Sequence, residues 1–298
     1  MIGDLLRERI RQYAPANAVE QDNVLQEIMQ HFVLAGLSRS GFFSPAAFHG
    51  GTCLRILYGT SRFSEDLDFL LRAPAPGFAW GKYLEEVRDD CLAQGIRFEV
   101  QDRPASDAAV RKAFLKTDSI GQVLELDLPY QRQRARKVRI KLEVDTNPPA
   151  GSAFETHYIT FPVTSAISTQ TLTSGFALKS HALLCREYAK GRDWYDFLWY
   201  VSRKVAPEFG LLGNALDQQG PWAGRKVHVT PEWYLGAMRA RIEGLDWGAA
   251  RNDVERFLPA REQESLALWK PELFLYHLER LGELLIGPNR APGNPTDT

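Results

Sequence analysis

The sequence predicts a mixed-sheet α/β domain over residues 1–165, followed by a mostly α-helical domain over residues 166–298. Two observations carry this reading. Up to about Val163, short runs of β-type alternation, clearest in Arg136–Thr146, are interleaved with helical segments. Beyond Ser165 the alternation stops and apolar residues recur at helical spacing.

In order along the chain, Val24, Leu25, Ile28, Met29, Phe32 and Val33 mark a core-facing helix within the first forty residues, with Gly41 beyond its last turn. A short strand is expected at Ala46–Phe48, then a glycine turn, then a helix over Cys53–Tyr58 that Thr52 would cap. Glu65–Leu71 reads as the next strand, closed by the Pro74–Gly77 loop. Trp80–Gln94 is amphipathic and stops at Gly95. Further strands are expected at Ile96–Val100, Val123–Leu128, Arg136–Thr146 and His157–Val163. The helical half follows, with segments at Phe176–Ala189, Trp194–Val205, Glu232–Ile242, Asn252–Leu258 and Pro271–Ile286. The Pro-, Gly- and Asn-rich tail from Gly287 is expected to be disordered.

The bulk composition excludes more than it selects. With 44% hydrophobic and 24% charged residues the chain can bury an ordinary core. A net charge of -1 declares no polyanionic partner, so any such partner must be held by a local patch. The cysteines Cys53, Cys91 and Cys185 are odd in number and far apart, which argues against a disulfide framework or a zinc site. Charges interrupt the apolar residues of Met1–Tyr13. A soluble, cytoplasmic protein that does not enter a membrane is therefore expected.

One constellation carries chemistry. In Asp66-Leu67-Asp68, strand alternation puts both carboxylates on one face. Such a pair repels itself unless a divalent cation intervenes, and hard oxygen ligands suit Mg²⁺ or Mn²⁺; a solvated acidic pair is the bland alternative. Upstream, Gly50-Gly51-Thr52 sits between a strand and a helix, where backbone amides can approach a phosphate. In Arg136–Thr146, Val138, Ile140, Leu142 and Val144 form an apolar face, and Arg139, Lys141, Glu143 and Asp145 form the opposite one. If this strand lies beside the acidic one, Glu143 or Asp145 completes a metal-binding triad with Asp66 and Asp68. Arg55 and Arg62 could contact phosphate or pack against Glu65, and Ser64 could donate to phosphate or shape a turn. Arg132, Arg134, Arg136, Lys137, Arg139 and Lys141 form a basic run suited to an RNA backbone or to a solvated edge.

Phe48-His49-Gly50-Gly51-Thr52-Cys53-Leu54-Arg55, followed by Arg62-Phe63-Ser64-Glu65-Asp66-Leu67-Asp68-Phe69, resembles the signature of the AbiEii/AbiGii toxin family. These are nucleotidyltransferase toxins of type IV toxin–antitoxin and phage-abortive systems, related to the MenT toxins. Leu178-Lys179-Ser180-His181 and Lys190-Gly191-Arg192-Asp193-Trp194-Tyr195-Asp196 resemble the family's Lys and R-D-x-x-D motifs. The likeness spans roughly residues 45 to 200 and implies a polymerase-β-like nucleotidyltransferase domain followed by a helical one. It also implies NTP as substrate, transfer to the 3′ end of tRNA, arrest of translation, and a nearby-encoded AbiEi-type antitoxin that does not bind tightly. Lys179 would offset triphosphate charge, while Asp193 and Asp196 would orient Lys179 or Arg192; helix capping by Asp193 is the competing role. A protein or small-molecule acceptor, or a nucleotide-binding regulator without catalysis, are the alternatives. Replacement of Asp66 or Lys179 by Ala is expected to abolish transfer and leave the fold intact, on the premise that both are exposed charges.

Overall fold

The computed structural model describes residues 2–101, 119–128 and 136–287. Two compact units emerge: Met1–Thr171 together with Arg256–Gln263, and Leu172–Glu255 together with the chain from Glu264 onward. The first therefore extends past residue 165 and takes back a short segment from the helical half.

In the first unit, α1 (Ile2–Tyr13) and α2 (Ala18–Arg39) precede β1 (Ala46–His49), α3 (Gly50–Tyr58), β2 (Leu67–Leu71) and α4 (Gly81–Ala93). β3 (Arg97–Gln101), β4 (Ser119–Leu128), β5 (Arg136–Asp145), β6 (Phe154–Ile159) and β7 (Ser165–Gln170) complete its sheet. The described residues give seven strands in the order β3-β4-β5-β2-β1-β7-β6. The sheet is mixed: β2 runs parallel to β5 and β1 parallel to β7, while the other pairs are antiparallel.

The core explains these elements. Val138, Ile140, Leu142 and Val144 are all buried, as the alternation predicts, and Leu67 and Phe69 of β2 share their layer. Phe69 packs edge-on against Phe42 at 4.8 Å, and Phe42 stacks on Trp80 at 5.2 Å. The opposite face of β2 carries Asp68 and the buried Leu70. α2 starts at Asn17, whose side chain accepts from the Glu20 amide at 2.9 Å while Glu20 accepts from the Ala16 amide at 2.8 Å. It is buried almost all round, including Glu27, Gln30 and His31, so it is no simple amphipathic helix.

β6 begins and ends earlier than the expected His157–Val163, and β7 was not expected at all. β7 reads Ser165-Ala-Ile-Ser-Thr-Gln170; buried Ser168, Thr169 and Gln170 replace the apolar residues that pattern reading looks for.

The second unit holds α5 (Leu172–Cys185), α6 (Gly191–Ser202), α7 (Phe209–Gln218), α8 (Pro231–Glu243), α9 (Trp247–Glu255) and α11 (Pro271–Ile286). The short α10 (Ala260–Gln263) lies in the segment that rejoins the first unit. Its core is aromatic: Trp247 stacks on Phe274 at 3.9 Å, and Trp194 meets both edge-on. Trp194, Phe197 and Tyr200 are buried, as expected of aromatics at helical spacing. No helix among the described residues is long and apolar enough to cross a membrane. The expected tail beyond Gly287 and the basic residues Arg132 and Arg134 lie outside the described residues.

Candidate active site

β2 and β5 build the acidic face. Their parallel register places Asp68 beside Glu143 and Leu70 beside Asp145. Asp66 immediately precedes β2, at the end of the loop that follows Thr60. The register separates the two candidates for a third carboxylate. Glu143 neighbours Asp68, whereas Asp145 lies further along and accepts from the Asn147 amide at 3.1 Å, closing the turn after β5.

The electrostatics mark Asp66 out. Burial pushes its carboxyl up to about 6; the charges of Asp68, Glu143 and Glu65 add to this, and Lys141 offsets only part. Lys141 and Glu143 form an ion pair. Among the described residues no three His, Cys, Asp or Glu side chains stand together at metal-holding spacing. The expected triad is thus represented by a pair, Asp66 and Asp68, with Glu143 alongside but turned to Lys141. The donor set is all carboxylate oxygen and suits a hard divalent cation, whose charge would relieve the crowding that raises Asp66.

The glycine turn serves this face sterically. Gly50 has φ +78°, and a Cβ there would come within 2.8 Å of an Asp68 carboxylate oxygen. A Cβ on Gly51 would meet Nη2 of Arg62 at 2.2 Å. Arg62 is 2% exposed and donates to the Phe63 carbonyl at 3.0 Å, so its guanidinium is built into the fold. Thr52 does not cap α3, whose N-cap is His49. Its buried hydroxyl donates instead to the backbone carbonyl of Asp66. Arg55 donates to Glu27 at 2.8 Å and to the carbonyls of Thr60 and Ser61 at 3.0 and 2.6 Å, and it lies over the Phe63 ring. Arg55, Arg62 and Thr52 therefore shape the loop that delivers Asp66. Ser64 lies in that loop and accepts from Gln30 through its backbone carbonyl.

The helical unit gathers a second cluster. Lys179 on α5 pairs with Asp193 at 2.7 Å and Asp196 at 2.8 Å, both on α6. Asp193 is not a helix cap: it binds Lys179 and lies 3.3 Å from Arg186, while Lys190 holds the N-cap position. Burial alone would raise the Asp193 carboxyl, but Lys179, Arg186 and Lys190 override it and hold it well below the usual carboxylate range. Burial lowers Lys190. Arg192 turns away to Asp253, its amide donating to that carboxylate at 3.2 Å. Lys179 is only 13% exposed and its partners 4% and 0%, so the premise that it is a surface charge fails.

With this geometry in place, family comparison is decisive. A model of the nucleotidyl transferase AbiEii toxin family, a type IV toxin–antitoxin system, matches residues 32–272. The chain belongs to the AbiEii family. Two solved structures are similar: JHP933 from Helicobacter pylori, at 14% identity and TM-score 0.45 over 89% of this chain and 90% of that one, and a protein described as a candidate nucleotidyltransferase from H. pylori, at 16% identity and TM-score 0.42 over 86% and 98%. Among curated proteins none matches.

Sequence reasoning on this AbiEii-family chain passed over Lys141, Arg186, Lys190 and Asp253 as members of the two clusters. Arg186 follows Lys179 by seven residues, two helical turns, and that spacing was the available signal. Lys141 is expected on the polar face of β5 and in the basic run; its pairing with Glu143, two residues on, follows from strand alternation. Arg136 and Lys137 open β5, and Arg139 is exposed on it.

Proposed function

We propose that the nucleotidyltransferase activity of this AbiEii toxin consists of moving a nucleoside monophosphate from an NTP to the 3′ hydroxyl of tRNA, which would block charging and halt translation. The observation that carries the reaction is the Asp66–Asp68 pair beside Glu143, crowded enough to raise the proton affinity of Asp66. Asp66 and Asp68, with Glu143 once released from Lys141, would hold Mg²⁺ or Mn²⁺. That ion, when bound, supplies charge to the triphosphate and acidifies the attacking hydroxyl.

The remaining roles belong to the chain. Asp66 and Asp68 project from adjoining positions of the acidic face, and Glu143 beside them would help take the acceptor's proton. The Gly50–Gly51 turn opens α3 with backbone amides suited to phosphate. In the helical unit Lys179 is fixed by Asp193 and Asp196 and Arg192 is anchored by Asp253; a role of Lys179 toward the triphosphate rests on the family likeness alone. The RNA acceptor rests on family likeness and on the basic run Arg132, Arg134, Arg136, Lys137 and Arg139. An AbiEi-type antitoxin is the expected partner.

The test is purified protein with each labelled NTP, total tRNA and Mg²⁺ or Mn²⁺. Label is expected on tRNA, lost with chelator and in Asp66→Ala. Label found on protein and never on RNA would overturn the tRNA acceptor; no transfer under any metal would overturn the reaction.

A further inference from the structure

The loop from Ser61 to Glu65, which delivers Asp66, is held by bonds that the family motifs do not include. Gln30 of α2 donates through its single side-chain nitrogen to two backbone carbonyls, Ser64 at 3.0 Å and Glu65 at 2.9 Å. One turn earlier, Gln26 donates to the same Glu65 carbonyl at 3.0 Å and to the Arg139 carbonyl on β5 at 2.9 Å. The two amides thus tie the peptide unit before Asp66 both to the longest helix of the unit and to the strand that carries Glu143. A second wall comes from the returning segment. The Phe63 amide donates to the Phe257 carbonyl at 2.8 Å, the Ser61 hydroxyl donates to Glu262 at 2.8 Å, and Arg256 lies 3.4 Å from the Glu65 carboxylate.

Gln30 bears a cost that packing alone does not explain. It is 0% exposed, and its side-chain oxygen has no hydrogen-bond partner among the described residues. A buried acceptor left unsatisfied is destabilising, and an apolar side chain of the same shape would remove that cost. Rotating the amide does not help, because the oxygen would then face two carbonyl oxygens. The position keeps a carboxamide whose only gain is the grip on Ser64 and Glu65.

We infer that Gln26 and Gln30 are positioning residues for nucleotidyl transfer: they set the Ser64–Glu65 backbone so that Asp66 projects beside Asp68 and Glu143. This rests on the reading of Asp66 given above. Neither glutamine touches substrate; both act through the peptide that carries the acid.

Gln30→Met keeps the shape and removes the donor, so it separates holding the fold from aiming the loop. The full-length protein and its Gln30→Met and Gln26→Ala variants are compared by thermal unfolding, by hydrogen exchange of the Phe63–Asp68 amides, and by kcat and KM for NTP on tRNA. For Gln30→Met the expected result is an unfolding midpoint little changed from the parent, because relief of the Gln30 oxygen offsets the Ser64 carbonyl that loses its donor, with faster exchange confined to Phe63–Asp68 and kcat lower by tenfold to a hundredfold with KM changed less than about threefold. Gln26→Ala should show the same pattern in weaker form. Unchanged exchange, or unchanged kcat beside increased exchange, overturns the inference. Should the parent protein transfer nothing, the reaction reading has failed, and the exchange result alone decides whether the glutamines hold the loop.

Discussion

At the scale of single residues, Asp66 stands out because its surroundings oppose its charge. Its carboxyl is raised from an ordinary 3.8 to about 6, so between those values the native state holds a proton that the unfolded chain has released. The resulting stabilisation is complete below about pH 4 and is lost as pH rises through 6. In metal-free protein, Asp66→Asn should therefore match the parent near pH 4 and exceed it by about 2 kcal/mol at pH 8. Paired denaturant titrations at the two pH values check this; a constant difference between the proteins would show that Asp66 is not crowded. The same substitution should lower transfer by about 10²-fold or more, since one of the carboxylates proposed to hold the metal is gone. The acid pair itself was legible, because D-x-D after a glycine turn is local in sequence. The commitments of Thr52, Arg55 and Arg62 were not: each is fixed by a contact with a loop carbonyl or with Glu27, and residue type alone does not separate such a contact from a phosphate contact.

At the scale of elements, the parallel pairing of β2 with β5 puts Glu143 rather than Asp145 beside Asp68, a distinction that alternation leaves open because both acids share a face. The clean pattern of β5 was readable for the same reason that its partner was not: alternation names a face, while register depends on which strands meet. β7 escaped because its buried side chains are small and polar, and α7 because two glycines dilute its helical pattern. The α5–α6 cluster changes an energetic expectation. Lys179→Ala leaves the carboxylates of Asp193 and Asp196 buried without that ammonium, and should lower the unfolding free energy by about 3 kcal/mol. Lys179→Ala combined with Asp196→Asn should recover part of the loss. Urea unfolding of the single and double variants measures both; a Lys179→Ala protein as stable as its parent would contradict the burial described. Loss of toxicity in Lys179→Ala alone is therefore no proof of a role in catalysis, and must be read beside its folded fraction.

At the scale of the molecule, the first unit is discontinuous in sequence. Phe257 is 1% exposed in the core built from α2, the sheet and α4, and its carbonyl receives the Phe63 amide. Phe257→Ala should cost about 3–5 kcal/mol through the cavity it leaves, and loosen the loop before Asp66 at the same time. Hydrogen exchange resolved along the chain would show the loss in α2 and the Ser61–Glu65 loop; an effect confined to the helical unit would place Phe257 in the wrong core. The two-part organisation was visible in the change of periodicity near Ser165. The returning segment was not, because nothing in an eight-residue stretch announces which distant amides it will satisfy.

The return of Arg256–Gln263 also makes the loop before Asp66 depend on residues far along the chain. A chain that stops before residue 256 carries Asp66 and Asp68 yet has no Phe257 carbonyl for the Phe63 amide to meet. A chain cut before Arg256 should therefore exchange its Phe63 amide faster than the longer chain does, although it keeps both aspartates.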